Sequence, residues 1–434
     1  MSVRRSDLVR IDKQHVWHPW TRMQQYIETQ RPLVIESAQG ARLYDVDGRS
    51  FLDATSSWWV ATLGHAHPRL IEALVRQAQV LPHTSLDGIA HEPAATLAEL
   101  LCDAAPAGLA RVFYSDNGST AVEVALKMAL QFWQNEGAPE RKVFVALEHA
   151  FHGDTLGAAG VSGIDIVRQT HDPPLACVRV PPPGDALTCE EAAGKLDAIL
   201  RARRGEIAAF IIEPRVQGGA GMRMHPAEYL RAVRQACAAH EVLFIADEVF
   251  VGYGRTGSMW ACDSAGISPD LMCLSKGFTG GLLPMAATLA TERIFRAFFG
   301  GSDRAFLHGH SFCGNPLGAA VAAEVLRVFR DEGIIERARG KAERIAAAFA
   351  RMAGIPGTSR ARALGLIGAI DLADDPSPLG ETGWRVAAHA QARGVLLAPL
   401  GDVVYIAPPL TIADEELDEI LDVISDSIGA AWGA

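Results

Sequence analysis

Three short stretches each place a chemically versatile side chain directly after an apolar run: Glu213 in FIIEP, Asp247 in LFIADEV and Lys276 in DLMCLSKGFTGG. A lysine amine can add to a carbonyl carbon or carry a proton, and a carboxylate can hold a positive charge nearby. Each acid alone could equally cap a helix that follows a strand. A fourth stretch, SDNGSTAVEVALKMA, sets Asn117, Gly118, Ser119 and Thr120 at the start of a long amphipathic pattern. Small residues let backbone N–H groups approach a ligand, and a helix N-terminus favours an anion. N-capping by Ser119 or Thr120 would explain the same residues.

One kind of chemistry uses a lysine, an acid and an anion cradle together. Pyridoxal phosphate bonds to a lysine amine, needs a carboxylate at its pyridine nitrogen and has a phosphate to anchor. Other chemistries lack their motifs. There is no GxxxxGK[ST] loop, no strand-linked GxGxxG and no HExxH, and GHSFCG is not a GxSxG elbow. His65, His67, His83 and His91 have no acid or cysteine at ligand spacing, so no metal is expected.

These groups need a scaffold that brings successive strand ends to one place. ARVFYSD, KVFVALE, AAFIIEP, VLFIADEV and DLMCLSK alternate with helical patterns, and both intervals, Glu213 to Asp247 and Asp247 to Lys276, read as strand–helix–strand units. Such alternation gives an α/β fold with a mostly parallel sheet, whose ligands sit outside the carboxyl ends of the strands. Asp47-Gly48 between apolar runs predicts a hairpin within 33–53. The proline-dense DPPLACVRVPPPGD reads as a rigid surface connection, and 318–353 as one long helix before a smaller α+β part. The expected division is 1–60, 61–325 and 326–434, with both termini contributing to the smaller domain.

A formal net charge of −11 argues against nucleic acid or an anionic membrane as partner. No apolar run is long enough to span a bilayer, the first residues show no apolar leader, and seven scattered cysteines include no CxxC pair. A cytoplasmic protein is the expectation.

Over nearly its full length the chain resembles the class III (ω-amino acid) aminotransferases of fold type I, which use pyridoxal phosphate. The carrying motifs are SDNGSTAVEVALKMA, AFHGDTLGA, FIIEPRVQGGAGM, LFIADEVFVGYGRTG, DLMCLSKGFTGG and HGHSFCGNPLGAA. The resemblance implies a large domain with a seven-stranded, mostly parallel sheet. It implies that Lys276 bonds the cofactor, that Asp247 faces its pyridine nitrogen, and that Gly118 and Ser119 hold its phosphate. Phe151 and Val249 would press the two ring faces, with His152 and Glu213 in the same site. Ser311 would reach the phosphate of a neighbouring subunit, so a homodimer with shared sites is implied. Its small-molecule partners would be an amine donor and a keto acceptor.

Within the class, VWHPWTRM, ATSSWWVATLGHAHP and HTSLDGIAHEPA resemble a branch that aminates a long keto acid in biotin synthesis. Trp58, with Trp59 beside it, would wall the substrate channel; a pair of core tryptophans is the simpler alternative, and it suits Trp59 better than Trp58. Four positions depart from that branch. Trp20 and Phe151 stand where tyrosine is common, His310 stands where proline is frequent, and LLAPLGD has Ala398 where an arginine would pair with the substrate carboxylate. Losing such a pair costs several kcal/mol (about 2–5). Two substrate readings therefore stay open: the biotin-pathway keto acid held differently, or an acceptor or donor, such as a diamine, an amino alcohol or another bulky amine, that lacks that carboxylate.

Overall fold

The computed structural model describes residues 3–165, 171, 173–184, 186–372 and 380–431. Its centre is a seven-stranded sheet. In spatial order the strands are Leu109–Ser115, Ala286–Thr291, Leu271–Leu274, Leu243–Asp247, Ile207–Ile212, Val143–Leu147 and Cys177–Val180. Ala286–Thr291 runs antiparallel to both neighbours, and the other pairs are parallel. Two reversals cancel, so Leu109–Ser115 points the same way as the parallel set.

The strands read as continuous apolar runs because both faces are covered. Phe144, Ala146, Ala209, Ile211 and Ile245 pack toward helices Gly118–Asn135 and Leu156–Val161. The alternate residues Val145, Leu147, Phe210, Ile212 and Phe244 pack toward helices Cys189–Ala202 and Ala227–Ala239. The carboxyl ends at Ser115, Leu147, Ile212, Asp247 and Leu274 consequently share one edge.

One of the smaller sheets ties the two ends of the chain together. Ile35–Gln39, Arg42–Asp45 and Ser50–Asp53 form an antiparallel meander. Its second hairpin turns at Asp47-Gly48, where the Asp45 carboxylate accepts from the N–H groups of Asp47 and Arg49, and Gly48 takes φ +82°. Val395–Leu396 adds to Ser50–Asp53 in parallel, so residues from both ends share this sheet. Ser359–Leu364, Ile367–Asp371 and Val403–Ile406 make another.

Three expectations need correction. The proline-dense stretch carries the edge strand Cys177–Val180, since the prolines flank it and leave its ladder N–H groups free to pair; Asp172 and Asp185 lie outside the described residues. The long helix is two, Pro316–Asp331 and Ile334–Met352, parted at Gly333 with φ +57°. The first of these crosses position 325. Between Asp247 and Leu271 there is a 3₁₀ turn, Ala261–Ala265, in place of a crossover helix. Among the described residues, no helix is long and apolar enough to cross a membrane.

Candidate active site

Lys276 follows the buried strand Leu271–Leu274 and takes φ +52°, a conformation that bulky residues adopt only under constraint. Its ammonium lies 4.4 Å from the ring centre of Trp59 and 5.7 Å from that of Phe250. Burial lowers its pKa to about 8, against the pull of the nearby Asp247 and Glu213 charges. Roughly a tenth of such a group is neutral at pH 7.

Asp247 ends the adjacent strand. One carboxylate oxygen lies 2.7 Å from Nδ1 of His152, and the other accepts the Val249 N–H at 3.1 Å. His152 is buried, held through its own N–H by Ser162 Oγ at 3.0 Å, and its Nε2 has no partner. Glu213 follows the next strand, Ile207–Ile212. Burial and then the Asp247 charge push its carboxyl well above the ordinary range, opposed by Lys276 and by N–H donation from Phe151 and Gly218. Glu213 Oε2 and Gln217 Oε1 are buried without partners; the Gln217 amide donates to the Glu148 carbonyl at 2.8 Å. Three orphaned polar atoms gathered at one sheet edge mark a place built for something polar.

The space is kept open by glycines. A Cβ on Gly118 would come within 2.7 Å of Val249 Cγ1, and one on Gly219 within 2.8 Å of Phe151 Cβ. The cap of helix Gly118–Asn135 is neither Ser119 nor Thr120. Asn117 caps it, its side chain accepting from Thr120 N at 3.0 Å while Thr120 Oγ1 accepts from Asn117 N at 3.1 Å. That reciprocal box leaves the N–H groups of Gly118 and Ser119 pointing beyond the helix. Ser119 Oγ accepts from Asp154 N at 3.1 Å.

These features fit pyridoxal phosphate. An anion-ready helix start, a buried carboxylate that could face a ring nitrogen and a lysine with a depressed pKa stand near orphaned polar atoms.

The other candidate residues lie farther out. Trp20, largely exposed with φ +51°, donates from Nε1 to Asp154 at 3.1 Å and stands edge-on to Phe151 at 6.0 Å. Trp58 is half exposed, whereas Trp59 is buried against Phe250 and bonds Tyr405 OH at 3.0 Å. Ala398 is exposed, just beyond Leu396, which pairs with Asp53. Ser311 is exposed in the turn where Cys313 N donates to the His310 carbonyl. His310 faces Asp116 at 4.0 Å.

Ser56, Ser57, Trp58 and Trp59 all have positive φ, a single left-handed turn without glycine. Each such residue costs about 1–2 kcal/mol. Gln217, Asp154, Phe250 and Tyr405 were not singled out from sequence; Gln217, between a strand and two glycines in RVQGG, carried the most legible signal. The four histidines have other tasks. His65 pairs with Asp53, His67 with Glu332, His91 caps helix Glu92–Ala104 and His83 packs on Phe312. Among the described residues, no group of three or more histidine, cysteine or acidic residues could hold a metal.

A family model described as aminotransferase class-III matches residues 24–428. The adenosylmethionine-8-amino-7-oxononanoate aminotransferase of Geobacter sulfurreducens is 41% identical, covering 97% of each chain. That of Synechococcus elongatus is 44% identical over 95% of this chain and 98% of its own. The crystal structure of the Methanocaldococcus jannaschii enzyme of that name superimposes with a TM-score of 0.94 at 34% identity, covering 98% and 99%. The omega transaminase from Pseudomonas jessenii, solved in complex with PMP, gives 0.92 at 30% identity, covering 98% of each.

Proposed function

Since the chain belongs to the class-III aminotransferases, a pyridoxal phosphate-dependent family, we propose that it moves an amino group to 8-amino-7-oxononanoate, giving 7,8-diaminononanoate in biotin synthesis. Adenosylmethionine, part of its relatives' name, is the donor to test first. Likeness of about two residues in five over essentially the whole length carries the choice of acceptor. The convergence of Lys276, Asp247 and the Gly118–Ser119 helix start supports the chemistry.

Pyridoxal phosphate, when bound, supplies a ring that takes up the electron pair left when a proton leaves the substrate carbon. The residues of this chain do the rest. The N–H groups of Gly118 and Ser119 bind its phosphate. Asp247, oriented by His152, keeps a proton on the pyridine nitrogen. Phe151 and Val249 would be the residues that hold the ring. Lys276, whose burial lowers its pKa to about 8 in the free chain, would be the residue that holds the cofactor, and its amine the group placed to carry a proton beside it.

The active unit in this reading is a homodimer. Ser311 and Phe312 are exposed, and Trp17 and Leu307 are nearly fully exposed. A second copy would cover them and bring Ser311 to the neighbouring phosphate site.

A second reading rests on Ala398 and Trp20. The channel rim offers an alanine and an indole, a surface suited to an uncharged amine or ketone. The experiment is a donor and acceptor panel on cofactor-loaded protein. Turnover of 8-amino-7-oxononanoate, improved or retained in Ala398→Arg, supports the first reading. Turnover of simple amines with none of that ketone replaces it with the second.

A further inference from the structure

The left-handed turn Ser56–Trp59 is closed by its own backbone bonds, Trp59 N to the Thr55 carbonyl at 2.8 Å and Val60 N to the Ser56 carbonyl at 2.9 Å. Those bonds do not make it self-supporting, because in this hand each Cβ crowds the next carbonyl oxygen. Three contacts hold it. Below, Ser56 Oγ donates to the Ala407 carbonyl at 2.7 Å. At its far end, Trp59 Nε1 donates to Tyr405 OH at 3.0 Å. At its near end sits Asp53, buried at the end of its strand. One Asp53 oxygen accepts from Ser57 Oγ at 2.8 Å and lies 2.9 Å from His65 Nε2; the other accepts from Thr55 N at 3.2 Å. Burial alone would raise the Asp53 pKa, yet the bonds from His65 and Ser57 outweigh it and the carboxyl sits below its ordinary value.

The strained turn delivers Trp59 under the ammonium of Lys276 at 4.4 Å and leaves Trp58 half exposed beside it. Trp59 touches the amine; Asp53 and His65 do not. We propose that Asp53 and His65 are positioning residues, a buried carboxylate and its partly buried partner that clamp the left-handed turn through Ser57, fix the Trp59 indole against Lys276 and set where Trp58 stands for the substrate. The inference rests on the reading of Lys276 as the reactive amine.

Ser57 makes the clamp testable, since alanine and glycine there separate clamping from strain. Ser57→Ala loses the hydroxyl and keeps the cost of φ +46°. Ser57→Gly loses the hydroxyl but takes that conformation freely. With the clamp as described, Ser57→Ala raises KM for the amine donor about tenfold with a smaller change in kcat, while Ser57→Gly stays within about twofold of the parent. In cofactor-free protein, the pH midpoint for modification of Lys276 by an amine reagent falls about half a unit in Ser57→Ala, as the ring loosens from the ammonium. It stays put in Ser57→Gly. Asp247 and Glu213, the other charges facing the amine, are unchanged in both proteins. Asp53→Ala should act like Ser57→Ala, and adding Ser57→Gly should recover it. Equal KM values for the alanine and glycine proteins, or no recovery in the double variant, overturn the proposal. Lys276→Ala in the same series keeps the two readings apart, because turnover surviving that change would sink the role of Lys276 and leave the Ser57 comparison of KM intact.

Discussion

The sheet edge that carries Lys276, Asp247, His152 and Glu213 and the proposed substrate rim, to which Trp20, Trp58, Ala398 and Ser311 are assigned, are built on different principles. The first group sits at or against the ends of neighbouring strands. Asp247 ends the strand next to Leu271–Leu274, which Lys276 follows, and on its other side lies Ile207–Ile212, which Glu213 follows. The strand ladder alone fixes their separation. Rim residues come from the N-terminal segment, a left-handed turn, a loop beyond Leu396 and an exposed turn at 311–314. No single ladder relates them, and several are exposed. The sheet edge is therefore set by backbone pairing and burial, and changes there should cost chemistry. The rim is set by tertiary contacts and by whatever covers it, and changes there should cost substrate preference.

Lys276 gives the largest expected contrast. Lys276→Ala should lower turnover about a thousandfold or more and abolish the visible band of cofactor-loaded protein. The rate at which cofactor-free protein takes up pyridoxal phosphate depends on the neutral amine. That fraction grows as pH rises, so the rate should climb about tenfold per unit well below pH 8 and level off above it. A flat profile from pH 6 to 9 would break the link between burial and reactivity.

His152→Ala comes next. It leaves the buried Asp247 without its side-chain partner, a loss of about 1–3 kcal/mol. That should appear as a 10- to 100-fold fall in kcat. An unchanged kcat would mean that Asp247 is oriented by the Val249 N–H alone.

Gly118→Ala tests the cradle. Its Cβ would meet Val249 Cγ1 at 2.7 Å, and such overpacking costs about 1–3 kcal/mol. Cofactor affinity should drop about tenfold and return when Val249→Ala restores the space. If the double variant binds no better, the glycine serves the backbone and not the gap.

The smallest effect belongs to the rim. Trp20→Phe removes the bond to Asp154 and keeps the ring beside Phe151. KM for the substrates should change a few-fold, consistent with about 0.5–1 kcal/mol. The melting temperature should stay within about 1 °C, since the residue is exposed. A kcat effect as large as that of His152→Ala would erase the distinction between the two regions.

Legibility followed the same division. The strand runs, the Asp47-Gly48 hairpin and the helix start at Asn117 were readable because their signals are local. Apolar runs, a turn dipeptide and small polar residues each act within a few positions. The edge strand Cys177–Val180 hid among prolines because its pairing with Val143–Leu147 is a nonlocal fact. The break at Gly333 was masked by strong helix formers on both sides. Trp58 and Trp59 were visible as a pair, but not their different fates. One faces outward and the other lies under Lys276, because four residues wind left-handed against their own preference.

What the sequence determined by itself was the chemistry: a lysine, an aspartate and an anion-ready helix start, each placed by hydrophobic periodicity and motif. Only the tertiary structure decided the surroundings that give those groups their properties. The depressed pKa of Lys276 comes from burial against Trp59 and Phe250. The hold on Asp247 comes from His152, a residue far away along the chain. The turn that places Trp59 is sustained by Asp53, Ala407 and Tyr405, drawn from the two ends of the chain. Local sequence sets which atoms are available. Desolvation, hydrogen-bond partners and strain depend on contacts between distant segments, and those exist only once the chain has folded.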